Sequence, residues 1–137
     1  MTTNITYQRS LDSINWAELA DVFVRAGLGS PNPDDLQRAY INSALYVFAF
    51  LHDQLVGAAR VISDGVYHAE LCDTVVVPEL QRQGIGRQMV ELLLGDLNGI
   101  KVLLTASFGK EEFYHKLGFR RHKTALAYNY GEWWYAE

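Results

Sequence analysis

The run Gln81-Arg82-Gln83-Gly84-Ile85-Gly86-Arg87-Gln88 places two guanidinium groups and two glycines where the chain changes from strand to helix. Such a junction can hold a phosphate ester. The first N–H groups of a helix have no internal partner and carry the positive end of its dipole, so they attract anionic oxygens. Gly84 and Gly86 lack a Cβ, which lets a bulky anion reach the backbone. Arg82 and Arg87 add charge in a planar fork matched to phosphate. Two familiar phosphate loops do not fit. The dinucleotide pattern needs a third glycine where this chain has Met89, and the triphosphate loop needs Gly-Lys-Ser/Thr, which does not occur.

The elements around this turn can be read from periodicity. Thr74 to Val77 are four β-formers stopped by Pro78, whose missing N–H cannot continue a ladder. Helical spacing then places Ile85, Met89, Leu92 and Leu93 on one face, with Val90, Leu94 and Leu97 beside them. Upstream, Ile5 to Arg9 reads as a strand, and Ser13 as the cap of a helix from Ile14 to about Ala26. Pro31 and Pro33 mark a loop, and Asn32 or Asp34 opens a second helix through Leu36, Tyr40 and Ile41. Leu45 to Leu51, Leu55 to Ile62 and Tyr67 to Val77 form an antiparallel meander joined at Asp53-Gln54 and Ser63-Asp64-Gly65. Lys101 to Ala106 is apolar enough to be a strand parallel to its predecessor, making a βαβ crossover. A helix from about Lys110 to Leu117 is closed by Gly118 in a left-handed position, and Phe119 starts final strands extending through Tyr128 to Tyr135.

Composition bounds the function. The 137 residues, 49% hydrophobic and 20% charged, suit one globular domain spanning 1–137. No apolar run approaches about 20 residues, and Met1 to Ser10 lacks the basic and apolar regions of a signal peptide, so the expected location is cytoplasmic with no membrane partner. Cys72 is the single cysteine, and His52, His68, His115 and His122 show no ligand spacing, so no metal is expected. A net charge of −4 argues against nucleic acid as a partner and favours approach of a cationic amine.

The segment Val77-Pro78 followed by Gln81, Gly84 and Gly86 resembles the Gln/Arg-x-x-Gly-x-Gly/Ala signature of the GCN5-related N-acetyltransferases (GNAT). A second block, Glu112-Phe113-Tyr114-His115-Lys116-Leu117-Gly118-Phe119, resembles the Phe-Tyr-x-Lys-x-Gly-Phe block of the same family. The stretch from Asp73 to the Tyr114 block is also similar to the compact branch that includes plant and cyanobacterial serotonin N-acetyltransferases. The resemblance implies a GNAT fold of the mixed α/β class: a central, mostly antiparallel sheet whose fourth and fifth strands are parallel and splay apart, with flanking helices. It implies acetyl-CoA as co-substrate, with pantetheine pairing along Val75, Val76 and Val77 and pyrophosphate on the amides from Arg82 through Gln83, Gly84, Ile85, Gly86 and Arg87 to Gln88. Ser107 stands where the family often has asparagine, and Lys110 replaces a small residue.

For catalysis the resemblance makes Tyr114 the general acid for the departing thiolate. Asp73 is the candidate base or ammonium anchor, with Glu70 and His68 as alternatives, and strand alternation puts Asp73 on the face of Val75 and Val77, opposite Glu70 and Cys72. The expected activity is direct acetyl transfer from acetyl-CoA to a primary amine of a small molecule. A protein lysine or N-terminal acetyltransferase and a non-catalytic acetyl-CoA-binding module are the alternatives. The tail Tyr128 to Tyr135 could line the amine pocket, form a homodimer seam or pack on the core, and a homodimer is expected.

Overall fold

Hairpins and one crossover build a five-stranded sheet in the computed structural model, which describes residues 4–137. Strand β1 (Ile5–Gln8) leads to helices α1 (Trp16–Arg25) and α2 (Pro33–Ile41). Strands β2 (Leu45–Leu51), β3 (Gln54–Ser63) and β4 (His68–Val76) follow, then helix α3 (Ile85–Gly95), strand β5 (Lys101–Leu104) and helix α4 (Glu111–His115). The sheet order is β1-β2-β3-β4-β5, antiparallel throughout except for the parallel β4–β5 pair. The mixed sheet and the crossover expected from the sequence are both present.

Local chemistry explains the ends of these elements. Asn15, not Ser13, caps α1: its side chain accepts from the Glu18 N–H at 3.0 Å, whereas Ser13 lies in the left-handed region at φ 58°. Both are good cap residues, and the one in extended backbone takes the role. Asn32 caps α2 with Pro33 at the first helical position. Before β4, Asp64 Oδ1 accepts from the N–H groups of Val66, Tyr67 and His68 at 2.8, 2.8 and 3.2 Å, and these donors hold its carboxyl below the usual range.

The two sheet faces carry different helices. Phe48 of β2 meets Trp16 of α1 and Tyr40 of α2, with ring centroids 6.0 and 5.2 Å apart. The other face receives α3, through Ile85, Met89, Val90 and Leu93, all buried. Burying side chains of this size stabilises by about 1.5–3 kcal/mol each. Among the described residues no helix is long and apolar enough to cross a membrane, and no cluster of His, Cys, Asp and Glu could hold a metal ion.

The chain resolves into two compact units, one ending at Thr105 and the other running Ala106–Glu137. In the second, the strands expected after Phe119 are absent among the described residues. Every residue from 121 to 130 is exposed, Leu126 and Tyr128 at 95% and 92%, so the alternation there buries neither side, and Asn129 turns into the left-handed region at φ 69°. The aromatics gather instead through a short 3-10 turn, Glu132–Trp134, with Trp133 and Trp134 at 4.5 and 5.4 Å from Phe108. A Tyr135 hydroxyl accepting from the Tyr130 N–H at 3.1 Å closes the tail on itself.

Candidate functional site

The glycine turn has the geometry of an anion cradle. A 3-10 turn at Pro78–Leu80 carries the chain out of β4, and Arg82 and Gly84 both take left-handed backbone, at φ 65° and 89°. Gly84 is the N-cap of α3 and no side chain caps the helix, while the Gln88 N–H makes the first internal bond to the Gly84 carbonyl at 3.0 Å. The N–H groups of Ile85, Gly86 and Arg87 therefore start the helix without a bond inside it. A Cβ at residue 84 would meet nothing within 4 Å, so the glycine answers to its dihedral angle and to whatever approaches from outside. Ile85 is buried while Arg82, Gln83 and Gly84 are exposed, so the turn is anchored inside and open at its tip. Arg87 Nε sits 3.5 Å from Glu91 Oε1 at the surface, a weak pair that leaves the guanidinium within reach of another anion.

Beside the turn, β4 outruns its neighbour. Pairing with β5 ends at Leu71 and Leu104, whereas β4 continues to Val76. The Val77 N–H bonds to the Val56 carbonyl at 2.9 Å, which fixes the direction of the antiparallel ladder. Residues 75 and 77 turn their backbone groups toward β3, so Thr74 and Val76 turn theirs outward to the gap. The Val76 carbonyl accepts from Gln81 Nε2 at 2.9 Å, which ties the glutamine of the turn to the strand edge. This corrects the expectation that Val75 and Val77 offer backbone to a ligand. Their groups serve the ladder, and of the three valines only Val76 faces the gap.

Asp73 keeps the expected face of Val75, but Glu70 does not lie opposite it. Between the rungs Ala59–Thr74 and Val61–Leu71, β4 carries one more residue than β3, a β-bulge. The extra residue reverses the alternation, so Glu70, opposite Ile62, shares a face with Asp73 instead of opposing it. Asp73 Oδ2 accepts from Arg60 Nε at 2.7 Å, with side chains 27% and 17% exposed. Burial works to lower the Arg60 pKa, and the hydrogen bond and charge of Asp73 outweigh it, so the guanidinium ends above its usual value. Cys72 is half-buried and burial pushes its thiol up, the behaviour of an inert thiol.

An uncapped helix start following an unpaired strand edge can bind one elongated ligand, its anionic end on the amides and its polar arm along the strand. The model of the acetyltransferase (GNAT) domain matches residues 28–133. The chain belongs to the GNAT acetyltransferase family. This GNAT domain is 32% identical to serotonin N-acetyltransferase 2, chloroplastic, of Oryza sativa subsp. japonica, over 87% of this chain and 63% of that protein. It is 31% identical to a histone acetyltransferase of Glycine max, over 73% of this chain and 46% of that protein. The chain thus spans less than two thirds of the length of these relatives. A probable acetyltransferase from meticillin-resistant Staphylococcus aureus superposes with a TM-score of 0.81 at 19% identity, over 93% of this chain and all of that one, which shows the shared fold.

The second unit of the GNAT domain holds the remaining expected residues. Tyr114 lies on α4, its ring 4.9 Å from Phe113 and 5.9 Å from Phe119, both edge-on. Gly118 closes the helix at φ 98°, and the Phe119 N–H returns to the Tyr114 carbonyl at 3.0 Å, the left-handed end read from the sequence. Ser107 is exposed, and its carbonyl accepts from the Lys110 N–H at 3.0 Å. Sequence reasoning named Gln81 as part of the signature but missed its bond to the strand edge, and it missed Thr74 and Arg60. A charge within the apolar run Val56 to Ile62 was a signal for Arg60, equal to the one that marked Asp73.

Proposed function

We propose that the protein transfers an acetyl group from acetyl-CoA to the primary amine of a small molecule, with residues 1–137 as one catalytic domain. The observation that carries this reading is the junction of β4 and α3, where outward backbone of Thr74 and Val76 runs directly to the uncapped amides of Ile85, Gly86 and Arg87. That arrangement fits a pantetheine arm and a pyrophosphate, with Arg82 and Arg87 at the phosphate end. The relative named for serotonin acetylation and the net charge of −4 support a cationic small amine.

In the transfer, the neutral amine nitrogen attacks the thioester carbonyl carbon, the carbon–sulfur bond breaks, the nitrogen gives up a proton to a base or to water, and the departing thiolate takes one. Tyr114 is assigned as the donor of that proton. Asp73, read from the sequence as base or ammonium anchor, is ion-paired to Arg60 through Oδ2. Release of free thiol with a panel of amines tests the reading; binding of acetyl-CoA without acetylation of any amine defeats it. The relative named as a histone acetyltransferase favours a second reading, with a protein lysine as acceptor. Mass spectrometry of acetylated partners separates the two. The activity is assigned to a homodimer.

A further inference from the structure

Arg60 is a cation in a strand whose neighbours Ala58, Ala59 and Val61 are fully buried. Its guanidinium is engaged on three sides. Nε donates to Asp73 Oδ2 at 2.7 Å, Nη1 donates to Ser43 Oγ at 3.4 Å, and the group lies 5.7 Å from the centroid of the Tyr40 ring. Ser43 Oγ donates in turn to the Ala39 carbonyl at 2.8 Å. One side chain thus ties the end of α2 to β4, across β3.

The place of this tie gives it consequence. Arg60 stands opposite the β4 bulge, where ladder rungs are interrupted and the strand is least constrained by backbone bonding. Thr74 and Val76, whose backbone faces the gap, follow that bulge directly. The ion pair adds a directed, charge-assisted constraint across the bulge to the apolar packing around it.

We propose that Arg60 is a positioning residue for acetyl transfer: paired with Asp73, it pins the β4 bulge and so aims the backbone of Thr74 and Val76 at the donor, with Asp73 acting as its counter-ion and not as the base. The inference rests on the reading of this edge as the acetyl-CoA site. Removing either partner leaves the other charged, largely buried and without its counter-ion, which is the costly half of breaking such a pair. Arg60 and Asp73 should therefore act as a unit, with non-additive effects.

The test compares the full chain with Arg60→Met, Arg60→Lys, Asp73→Asn and the Arg60→Met/Asp73→Asn double variant. Acetyl-CoA affinity is measured by calorimetry, kcat and KM by thiol release, and amide exchange over residues 72–77 by mass spectrometry, with Tm as the folding control. Each neutralising single variant is expected to weaken acetyl-CoA binding by about tenfold or more and to speed exchange at 72–77, in line with the cost of a small misplacement at a reacting site. The double variant should be no worse than the poorer single one, and Arg60→Lys should recover part of the affinity. The low-pH limb of kcat/KM should persist in Asp73→Asn. The ionisable groups around Asp73 are Arg60 from β3, Tyr40 from α2, and Cys72 and Glu70 on β4; burial pushes Tyr40 and Cys72 up, away from that limb. Loss of the limb with unchanged acetyl-CoA affinity would make Asp73 the base and overturn the proposal. So would wild-type affinity and exchange in Arg60→Met. If Arg60→Met does not fold, Arg60→Lys and Asp73→Asn carry the same comparison. A wild-type chain that binds no acetyl-CoA defeats the parent reading instead, and exchange at 72–77 still decides whether the pair pins the bulge.

Discussion

Gly57 offers a direct measure of how tightly the proposed donor edge is built. It sits on β3 beneath the bulged strand, and an added Cβ would lie 2.9 Å from the Val75 carbonyl oxygen, 3.3 Å from Met89 Cε and 3.5 Å from Ala49 Cβ. The methionine end can swing aside, since thioether side chains adapt. The carbonyl cannot, because it belongs to the ladder of β4. Gly57→Ala must therefore displace β4 by several tenths of an ångström or bend β3 away from it. Overpacking of this kind costs about 1–3 kcal/mol, while replacing glycine in extended backbone returns about 0.4–1 kcal/mol through the unfolded chain. The two ranges leave a net loss of about 0–2.6 kcal/mol, centred near about 1.3 kcal/mol, and at about 3–4 °C per kcal/mol for a chain of this size the central value is a fall in Tm of about 4–5 °C. Calorimetric melting and acetyl-CoA titration should show both a lower Tm and weaker binding, because the displaced strand carries Thr74 and Val76. Gly95→Ala is the matched control: a Cβ there meets nothing within 4 Å, and alanine in place of glycine at the end of α3 should leave Tm equal or higher. A Gly57→Ala chain that melts and binds like the wild type would refute the close approach of β3 to β4 and the argument built on it.

Gly84→Ala forces a side chain into left-handed backbone at φ 89°, at a cost of about 1–2 kcal/mol. The Tm should fall and acetyl-CoA affinity fall with it, and unchanged affinity would remove the turn from the donor site. Tyr114→Phe should lower kcat by about 10²–10⁴-fold with little change in acetyl-CoA binding, as loss of a general acid does, and a steady-state comparison with wild type decides it. Asp64 has a folded pKa below its ordinary 3.8, so its contribution to stability is present above that value and lost as pH falls through the lower folded one. Asp64→Ala should melt lower than wild type at neutral pH, and the difference in Tm should close in strong acid.

The strand-to-helix junction at residues 74–89 was legible because its periodicity switches from two to 3.6 across a proline and two glycines, each with one local cause. The β-bulge was not. One extra residue in β4 leaves no compositional mark, yet it moves Glu70 to the face of Asp73, since alternation counts residues and the ladder counts rungs. Choosing between Ser13 and Asn15 as the α1 cap needed backbone angles that two similar cap residues do not reveal. The tail was misread for a different reason: Tyr128 to Tyr135 has the aromatic content of a strand, but Trp133 and Trp134 find Phe108 as a partner before any ladder does. Arg60 and Asp73 were both visible as charges among apolar residues, and only the three-dimensional register makes them partners.

The short parallel pairing of β5 bears on when the site comes into being during synthesis. Strands β1 to β4 join by antiparallel pairing, and the buried residues Val47, Phe48, Ala58, Val61, Leu71 and Val75 all belong to strands no later than β4. β5 alone arrives by a crossover and adds four rungs. Parallel pairing of this kind waits on closure of the intervening loop and helix, and domains acquire structure from the N-terminus as they emerge. A nascent chain released as far as Gly95 would therefore hold the meander, the ion pair at the bulge and the glycine cradle, but no second wall for the gap. The cleft proposed for the donor is a late product of a core that is already assembled.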